Sequence, residues 1–277
     1  MFLTQISNTK MDIWQQCRLR YKYYYVDKYI GCQTPNEDSL TFGSFIHEVF
    51  EVGVLANTTS TEDLTRIAEE LKSKYKIPHE KDAATKTCIR NFVTFNSGME
   101  AKDVSTLGCE IEYKIDLGDD IFATGVIDRV LRSETGLLLV IDYKTSKREK
   151  SKVQLYMDPQ LKGYALAACE LYGIPVREAG SKIICAHYYP VTNNFVHVSF
   201  PGTELAKHSK KVKEQAWRIR KSTLESLTPS KNEYCNFCQY KSICPLYEDN
   251  ETIKCNLLLE KQKLEAKQLA ESKGQSQ

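Results

Sequence analysis

The sequence predicts an α/β fold in which a mixed sheet is flanked by helices. Residues 121–132 and 137–144 read as the two strands of a hairpin, because both are largely apolar and the Ser-Glu-Thr-Gly between them ends in a glycine suited to positive φ. Residues 107–117 alternate apolar and charged side chains, which is the period of a strand with one buried face. These three segments should pair at the centre of the sheet.

Helical segments on both sides of this centre supply the flanking layers. Ser7 can cap a helix that runs to Tyr25. Asp158 and Pro159 form the N-cap and first-turn pair of a helix that Gly173 ends. The remaining predicted elements are helices at 40–55, 62–75, 79–96 and 202–224 and strands at 182–189 and 195–200.

Charged residues stand where the two hairpin strands end. Side chains alternate between the faces of a strand, so Asp142 and Lys144 point the same way, and the hairpin brings Asp128 opposite or diagonal to Asp142. Buried charge is costly unless it binds a metal or a partner, and oxygen ligands suit Mg²⁺ or Mn²⁺. An Asp-x-Lys pattern alone would favour a solvated surface hairpin. The Gly-x-x-Asp before it and the apolar run favour a metal site, in which Lys144 would stabilise charge on a phosphate or hold the attacking water.

The ten cysteines are many for a reducing compartment, where structural disulfides are rare. Cys235, Cys238 and Cys244 form a C-x2-C-x5-C group, termed here the Cys knot, with the spacing of metal ligands. Zinc and an iron–sulfur cluster both accept four thiolates, so spacing alone does not choose between them. The other cysteines read as ordinary residues, with the last as a spare ligand: Cys32, Cys88, Cys109, Cys169, Cys185 and Cys255.

With these motifs the chain resembles RecB-type nucleases of the PD-(D/E)XK superfamily. Within them it is most similar to the iron–sulfur branch, which includes AddB-type nuclease domains and CRISPR-associated RecB-like exonucleases. One departure is that Arg18 follows Cys17, where the family often has proline. The matching motifs span residues 6 to about 247 and are Gly43-Ser-Phe-Ile-His47, Gly125-Val-Ile-Asp-Arg129, Asp142-Tyr-Lys-Thr145 and Gln160-Leu-Lys-Gly-Tyr164.

The resemblance implies a restriction-endonuclease-like core and adds residues to the site. His47 would be a metal ligand together with Asp128 and Asp142. Relatives often carry a glutamate at the start of the strand before the hairpin, which here is Glu110 in residues 107–117. Glu110 would touch the metal or a bound water. An equal alternative is that Glu110 lies on a solvated strand face. Gln160 and Tyr164 would hold DNA or the hairpin, and Arg129, in the second motif, would also position DNA.

The resemblance also supplies the fourth cysteine ligand, Cys17, and favours a [4Fe–4S] cluster over Zn²⁺. The cluster would join the N-terminal helix to the C-terminal Cys knot. We therefore expect one nuclease domain over residues 1–250, stapled at position 17 and positions 235–244. Residues 251–277 are rich in Lys, Glu and Gln and should form a charged helical tail.

The function implied is a metal-dependent DNA exonuclease that acts on single-stranded ends with 5′-to-3′ polarity. Its role would lie in recombination, repair, viral DNA processing or CRISPR adaptation. One alternative is a structure-specific DNA endonuclease. Another is a non-cutting DNA-binding assembly module with a degenerate site, against which the intact set His47, Asp128, Asp142 and Lys144 speaks.

Bulk properties add less. The net charge of +2 is uninformative about partners, although residues 144–152 and 207–221 are locally basic. No apolar run reaches the length of a membrane span and residues 1–10 lack a signal-peptide core, so we expect a cytoplasmic protein, in the host cytoplasm if viral. The motif G-x-x-x-x-G-K-[ST] is absent from the sequence. Expected partners are therefore DNA and a separate helicase, recombination or CRISPR adaptation protein, with no membrane.

Overall fold

A computed structural model describes residues 4–31, 37–58 and 60–247. Its chain divides into two compact units. We call residues 4–8 and 38–214 the sheet unit, and the described residues of 9–37 and 215–277 the cysteine unit. The predicted tail at 251–277, Cys32 and Cys255 lie outside the described residues.

A six-stranded sheet forms the centre of the sheet unit, and it is mixed, as the sequence predicts. The third strand is the hub: it pairs antiparallel with the second and fourth strands and, at its first residues, parallel with the short first strand. The fourth strand pairs parallel with the fifth, which pairs antiparallel with the sixth. The strands are β1 (Gln5–Ile6), β2 (Val104–Asp116), β3 (Phe122–Ser133), β4 (Leu138–Tyr143), β5 (Ile183–Tyr189) and β6 (Asn194–Val198).

Helices form close to where sequence periodicity places them, and those of the sheet unit flank the sheet. Among the described residues, no helix combines the length and the apolar character needed to cross a membrane. The α-helices are α1 (Asn8–Gln16), α2 (Arg18–Tyr21), α3 (Glu37–Leu55), α4 (Thr61–Tyr75), α5 (Asp82–Glu100), α6 (Lys152–Met157), α7 (Pro159–Leu171), α8 (Ala179–Lys182) and α9 (Gly202–Arg220).

The alternating residues of β4 divide the core of the sheet unit in two. Leu138 and Val140 pack in a cluster that includes residues of α7, whereas Ile141 and Tyr143 pack in a cluster built from α3, α4 and α5. Each fully buried aliphatic side chain of this kind contributes about 1.5–3 kcal/mol relative to an exposed one. Both faces of the strand are therefore fixed by packing, and the polar residues at its end are held by a rigid support.

The predicted single helix from Ser7 to Tyr25 is wrong in one respect, because it is interrupted at Cys17. Cys17 adopts an extended backbone, with φ −160° and ψ 117°, and its Sγ accepts a hydrogen bond from the Arg20 backbone N–H. The thiol thus caps α2, and a cap residue leaves the helical conformation. A wider π-type turn over Lys22–Val26 follows.

The rest of the cysteine unit consists of short 3₁₀ turns, at Leu224–Ser226, Glu233–Phe237 and Lys241–Ile243. A small core joins the two chain segments. The Tyr23 ring lies 5.5 Å from the Tyr240 ring, and the Tyr23 hydroxyl donates to the Ile243 carbonyl at 3.3 Å.

Candidate functional site

The hairpin of β3 and β4 brings two carboxylates to facing positions. Arg129 pairs with Ile141 in the antiparallel register, so Asp128 and Asp142 occupy the next positions across from each other. Both side chains are buried, at 7% and 1% exposure. The polar end of the hairpin is therefore placed against the protein interior, where unpaired charge is costly.

Asp128 lies beside His47 of α3, and the Tyr143 backbone contacts both side chains. The Tyr143 N–H donates to Asp128 Oδ2 at 2.7 Å, and His47 Nε2 lies 2.9 Å from the Tyr143 carbonyl oxygen. Because a carbonyl can only accept, Nε2 carries the proton, and Nδ1 of the neutral imidazole is left as an acceptor. That Nδ1 lies 3.4 Å from Asp128 Oδ2. When Asp128 is ionised, two acceptors thus face each other, an arrangement that a cation between them would reconcile.

Glu110 lies close to His47 and Asp128, and its backbone conformation is unusual. Strict alternation along β2 would turn Glu110 outward with Glu112, but Glu110 has φ +46°, in the left-handed region that residues other than glycine rarely adopt. Glu110 is half-buried, and ligand atoms of His47, Glu110 and Asp128 all lie within 4.8 Å of one another. A nitrogen and two carboxylate oxygens form a donor set that suits Mn²⁺ or Mg²⁺.

The acids of this group resist ionisation in the metal-free protein. Burial, with the charge of Asp142 added, raises the pKa of Asp128 to about 8. Burial also raises the pKa of Glu110 to about 7, and the neighbouring Asp128 carboxylate adds to the shift. Burial lowers the pKa of His47, which keeps its imidazole neutral. A divalent cation would favour the ionised acids and the neutral histidine, so this group could bind a metal ion.

Lys144 lies between Asp142 and α7. Its Nζ is 2.5 Å from Asp142 Oδ2 and donates to Gln160 Oε1 at 3.4 Å, and Gln160 Nε2 in turn donates to the Tyr164 hydroxyl at 2.8 Å. Burial works to lower the pKa of Lys144, but the adjacent Asp142 carboxylate outweighs it and the pKa is raised. Lys144 is therefore a positioned cation, and Gln160 and Tyr164 form the chain of contacts that holds it.

A cleft of about 600 Å³ opens beside His47 and Lys144. Lys81 and Lys147 add positive charge to it, and hydroxyl groups supply further donors. The hydroxyl-bearing lining residues are Ser39, Ser44, Thr145 and Ser146. Positive charge and hydroxyl donors are the groups that contact phosphate backbones.

Arg129 occupies a different place from the other predicted site residues. It is 6% exposed, and its guanidinium donates to Asn96 Oδ1 at 2.7 Å and to Thr106 Oγ1 at 2.6 Å. These bonds tie β3 to α5 and β2. The predicted contact of Arg129 with DNA stays a prediction.

Two buried polar residues behind Asp142 were not assigned to the site from the sequence. His187 of β5 is wholly buried, with Nε2 3.4 Å from Asp142 Oδ2, and Asp158 lies beyond it, with Oδ2 3.8 Å from the same nitrogen. Asp158 was recognised only as a helix cap. The signal for His187 was available, because a histidine inside the apolar run of a predicted strand needs a buried partner.

The four predicted cysteine ligands line one pocket of the cysteine unit. Two of the sulfur atoms accept a backbone N–H: Cys17 from Arg20 at 3.5 Å and Cys235 from Asn232 at 3.4 Å. Among the described residues, no three of these sulfurs lie within 4.8 Å of one another. Four thiolates bound directly to one zinc ion would be about 3.8 Å apart, given a Zn–S bond of about 2.3 Å.

Comparison with known proteins adds one family. The model of the PD-(D/E)XK nuclease superfamily matches residues 5–245. Among curated proteins, none matches this sequence. A solved structure titled "Crystal structure of SSO0001" is 16% identical, with a TM-score of 0.42 over 89% of this chain and 88% of that chain.

Proposed function

The chain belongs to the PD-(D/E)XK nuclease superfamily, a family of metal-dependent nucleases, and from this premise we propose that it is a DNA exonuclease acting on single-stranded ends. The expected polarity is 5′ to 3′. The observation that carries the proposal is the facing of two acceptors, His47 Nδ1 and Asp128 Oδ2, at 3.4 Å beside Glu110. This group is suited to hold Mg²⁺ or Mn²⁺, with Asp142 on the facing strand as a further ligand.

When bound, the cation supplies a Lewis acid that activates water and neutralises charge on the phosphate. The residues of the chain have separate tasks around it. The Tyr143 backbone fixes the tautomer of His47 and the orientation of Asp128. Lys144, kept charged by Asp142, stabilises the negative charge that develops on the attacked phosphate, and Gln160 restrains its side chain.

Binding of a nucleic-acid strand is supported by the cleft beside His47. Lys81 and Lys147 supply cations on its walls. A polyanionic strand gains most of its binding free energy from such phosphate contacts. We infer that the strand enters along this cleft and presents its end to Lys144.

The decisive test uses labelled single-stranded DNA in linear and circular form, with Mg²⁺ or Mn²⁺. We expect only the linear form to be degraded, with loss of a 5′ label before a 3′ label. Asp142→Ala should abolish cleavage, because it removes one of the carboxylates proposed to hold the cation, and circular dichroism should show that the variant keeps the fold. Glu134→Ala, at the exposed turn of the same hairpin, is the matched control and should cut normally.

Other outcomes would assign the protein differently. Cleavage of circular DNA would indicate an endonuclease, and binding without cleavage of either form would indicate a non-cutting assembly module. Asp142→Ala protein that cuts at the wild-type rate would show that the site itself is assigned wrongly.

We further propose that Cys17, Cys235, Cys238 and Cys244 hold a [4Fe–4S] cluster, which places the chain in the iron–sulfur branch of RecB-type nucleases. Backbone N–H groups on the sulfurs of Cys17 and Cys235 support this, because such bonds stabilise thiolate charge and tune iron–sulfur clusters. Among the described residues, no three of the four sulfurs lie within 4.8 Å of one another, which is wider than direct binding to one zinc ion requires.

Anaerobically purified protein should be brown, with about four iron and four sulfide ions per chain. Cys235→Ser should bleach the protein and lower its melting temperature, because the cluster ties chain segments that are distant in sequence. Cys109→Ser, in the sheet unit, is the control and should keep the colour. Colourless protein with one zinc per chain would contradict the cluster.

A further inference from the structure

His187 is a buried histidine that the chemistry proposed above does not use. It lies on β5 directly beside Asp142 of β4 in the parallel register, and no part of its side chain is exposed. Burying an imidazole without hydrogen-bond partners is costly, so its surroundings should define both nitrogen atoms.

The first nitrogen is defined by Tyr189. The Lys150 backbone N–H donates to the Tyr189 hydroxyl at 2.9 Å, and that hydroxyl lies 3.2 Å from His187 Nδ1. Since the Lys150 N–H already occupies an acceptor site of the hydroxyl, the hydroxyl is free to donate its own proton to Nδ1. Nδ1 then accepts, and the imidazole proton resides on Nε2.

The second nitrogen lies nearer to Asp142 than to Asp158. Nε2 faces Asp142 Oδ2 at 3.4 Å and Asp158 Oδ2 at 3.8 Å. Asp158 is already engaged, because its Oδ2 pairs with Lys150 Nζ at 2.6 Å and its Oδ1 accepts the Gln160 N–H at 2.8 Å. Within the described part of the chain, His187 Nε2 is a buried atom without a hydrogen bond, and Asp142 Oδ2, also buried, is paired with Lys144 Nζ at 2.5 Å. A carboxylate oxygen can accept more than one hydrogen bond, so Asp142 Oδ2 can still accept one from Nε2, which faces it.

We propose that His187 is a positioning residue, which orients the Asp142 carboxylate through a directed chain from the Lys150 backbone by way of Tyr189. The chain fixes one carboxylate oxygen of Asp142 and leaves the other for the cation. Lys144 neutralises the same oxygen that His187 faces, so the two side chains provide one charged and one neutral donor. This inference rests on the proposed metal-dependent function, because it assigns Asp142 to the metal.

The test compares two replacements of His187. His187→Leu removes the donor at similar volume, and His187→Gln retains an N–H near the position of Nε2. We expect His187→Leu to weaken Mn²⁺ binding, measured by titration calorimetry without DNA, by about 10- to 100-fold, the usual effect of losing a partner of a metal ligand. It should lower kcat by a similar factor and leave KM for DNA unchanged, and His187→Gln should restore most of both. His208→Leu, at a buried histidine of α9, is the control.

Tyr189→Phe tests the direction of the chain. It removes the hydroxyl that fixes Nδ1 as an acceptor, so ¹⁵N NMR of the imidazole should report the Nε2–H tautomer in the wild type and a mixture in the variant. The chain has five histidines, so the resonance can be assigned with single substitutions. The effects of Tyr189→Phe and His187→Leu on Mn²⁺ affinity should be less than additive, because both act through one contact.

The outcomes separate the two claims. Wild-type protein that cuts no DNA, with weakened Mn²⁺ binding in His187→Leu, would overturn the proposed function and keep the positioning role. Wild-type Mn²⁺ affinity and kcat in His187→Leu would overturn the positioning role. If His187→Leu does not fold, His187→Gln and Tyr189→Phe are the deciding variants. An Nδ1–H tautomer of His187 in the wild type would contradict the proposed chain of hydrogen bonds. An Nε2–H tautomer that is lost in Tyr189→Phe would support it.

Discussion

Lys144 has acceptors on two sides, Asp142 and Gln160, and only Asp142 carries charge. Its replacement should therefore separate catalysis from metal binding. We expect Lys144→Ala to slow cleavage by about a hundredfold or more, as for loss of one charge-stabilising donor, while Mn²⁺ affinity stays close to that of the wild type. Single-turnover cleavage and calorimetric titration measure the two effects.

Lys182→Ala, which removes an exposed lysine paired with Glu178, is the control and should leave both unchanged. If Lys144→Ala instead loses the metal at an unchanged cleavage rate in saturating Mn²⁺, Lys144 supports the ligands and is not a catalytic group.

For single residues, the sequence predicted those positions that follow from regular strand geometry. Asp128, Asp142 and Lys144 follow from alternation along two strands joined by a short turn, in which Gly136 has φ +81°. The inward turn of Glu110 was not predictable by that reasoning, because alternation assumes extended backbone at every residue. A histidine inside an apolar run signals that His187 has a buried partner, but it does not identify that partner, Asp142, which lies on another strand.

The element that carries Asp128 depends on a close approach between β3 and β2. A Cβ added at Gly125 would lie 2.5 Å from the Tyr113 hydroxyl and 2.7 Å from the ring carbon that bears it, so the whole ring would have to move. Tyr113 is 7% exposed and has little room to do so. We expect Gly125→Ala to lower the unfolding free energy by about 1–3 kcal/mol, the usual cost of overpacking a core.

The matched control is Gly98→Ala in α5, where an added Cβ has no neighbour within 4 Å. Alanine is favoured over glycine in a helix, so this variant should gain about 0.5–1 kcal/mol. Urea unfolding followed by circular dichroism measures both variants. Equal stability of the two would contradict the close packing of Gly125 on Tyr113.

Long elements were predictable from the sequence and short ones were not. A repeated pattern of apolar residues covers several helical turns or strand positions in α3, α4, β3 and β4, and it predicts their bounds. The first strand has two residues and α6 has six, which is too few for either period to be recognised. The interruption at Cys17 has no local signal, because cysteine is not a helix breaker; it depends on a thiol that caps the next helix.

For the whole molecule, the dependence of stability on pH should include a contribution from His208. Burial lowers the pKa of His208 from 6.5 to about 4, and the cations of Lys162 and Lys211 add to the shift against an opposing effect of Glu204. The unfolded chain therefore binds a proton more readily than the folded one between these values. The contribution of His208 is fully present above about pH 6.5 and is lost as the pH falls towards 4.

We expect His208→Gln to reduce the loss of unfolding free energy between pH 7 and pH 4.5 by about 1–3 kcal/mol relative to the wild type. Urea unfolding at the two pH values measures the difference. Parallel pH dependence of the two proteins would show that the folded protein protonates His208 as easily as the unfolded chain does.

The cysteine unit marks the limit of what sequence reasoning supplies at this scale. Tyr23 and Ile243, 220 positions apart, are joined by a hydrogen bond. No periodicity or spacing relates such distant segments, so Cys17 was linked to the Cys knot only through resemblance to a family. The spacing of the three knot cysteines, in contrast, predicted a metal site without further information.

The left-handed backbone of Glu110 has a consequence for how this protein could adapt. A residue other than glycine in that conformation costs of order 1–3 kcal/mol. Glu110→Gly and Glu110→Ala remove the same carboxylate, but only glycine relieves the backbone, so the glycine variant should be more stable by about 1 kcal/mol, measurable by urea unfolding. Selection for thermal stability alone would therefore favour glycine at this position. Retention of glutamate would indicate that selection for activity outweighs selection for stability.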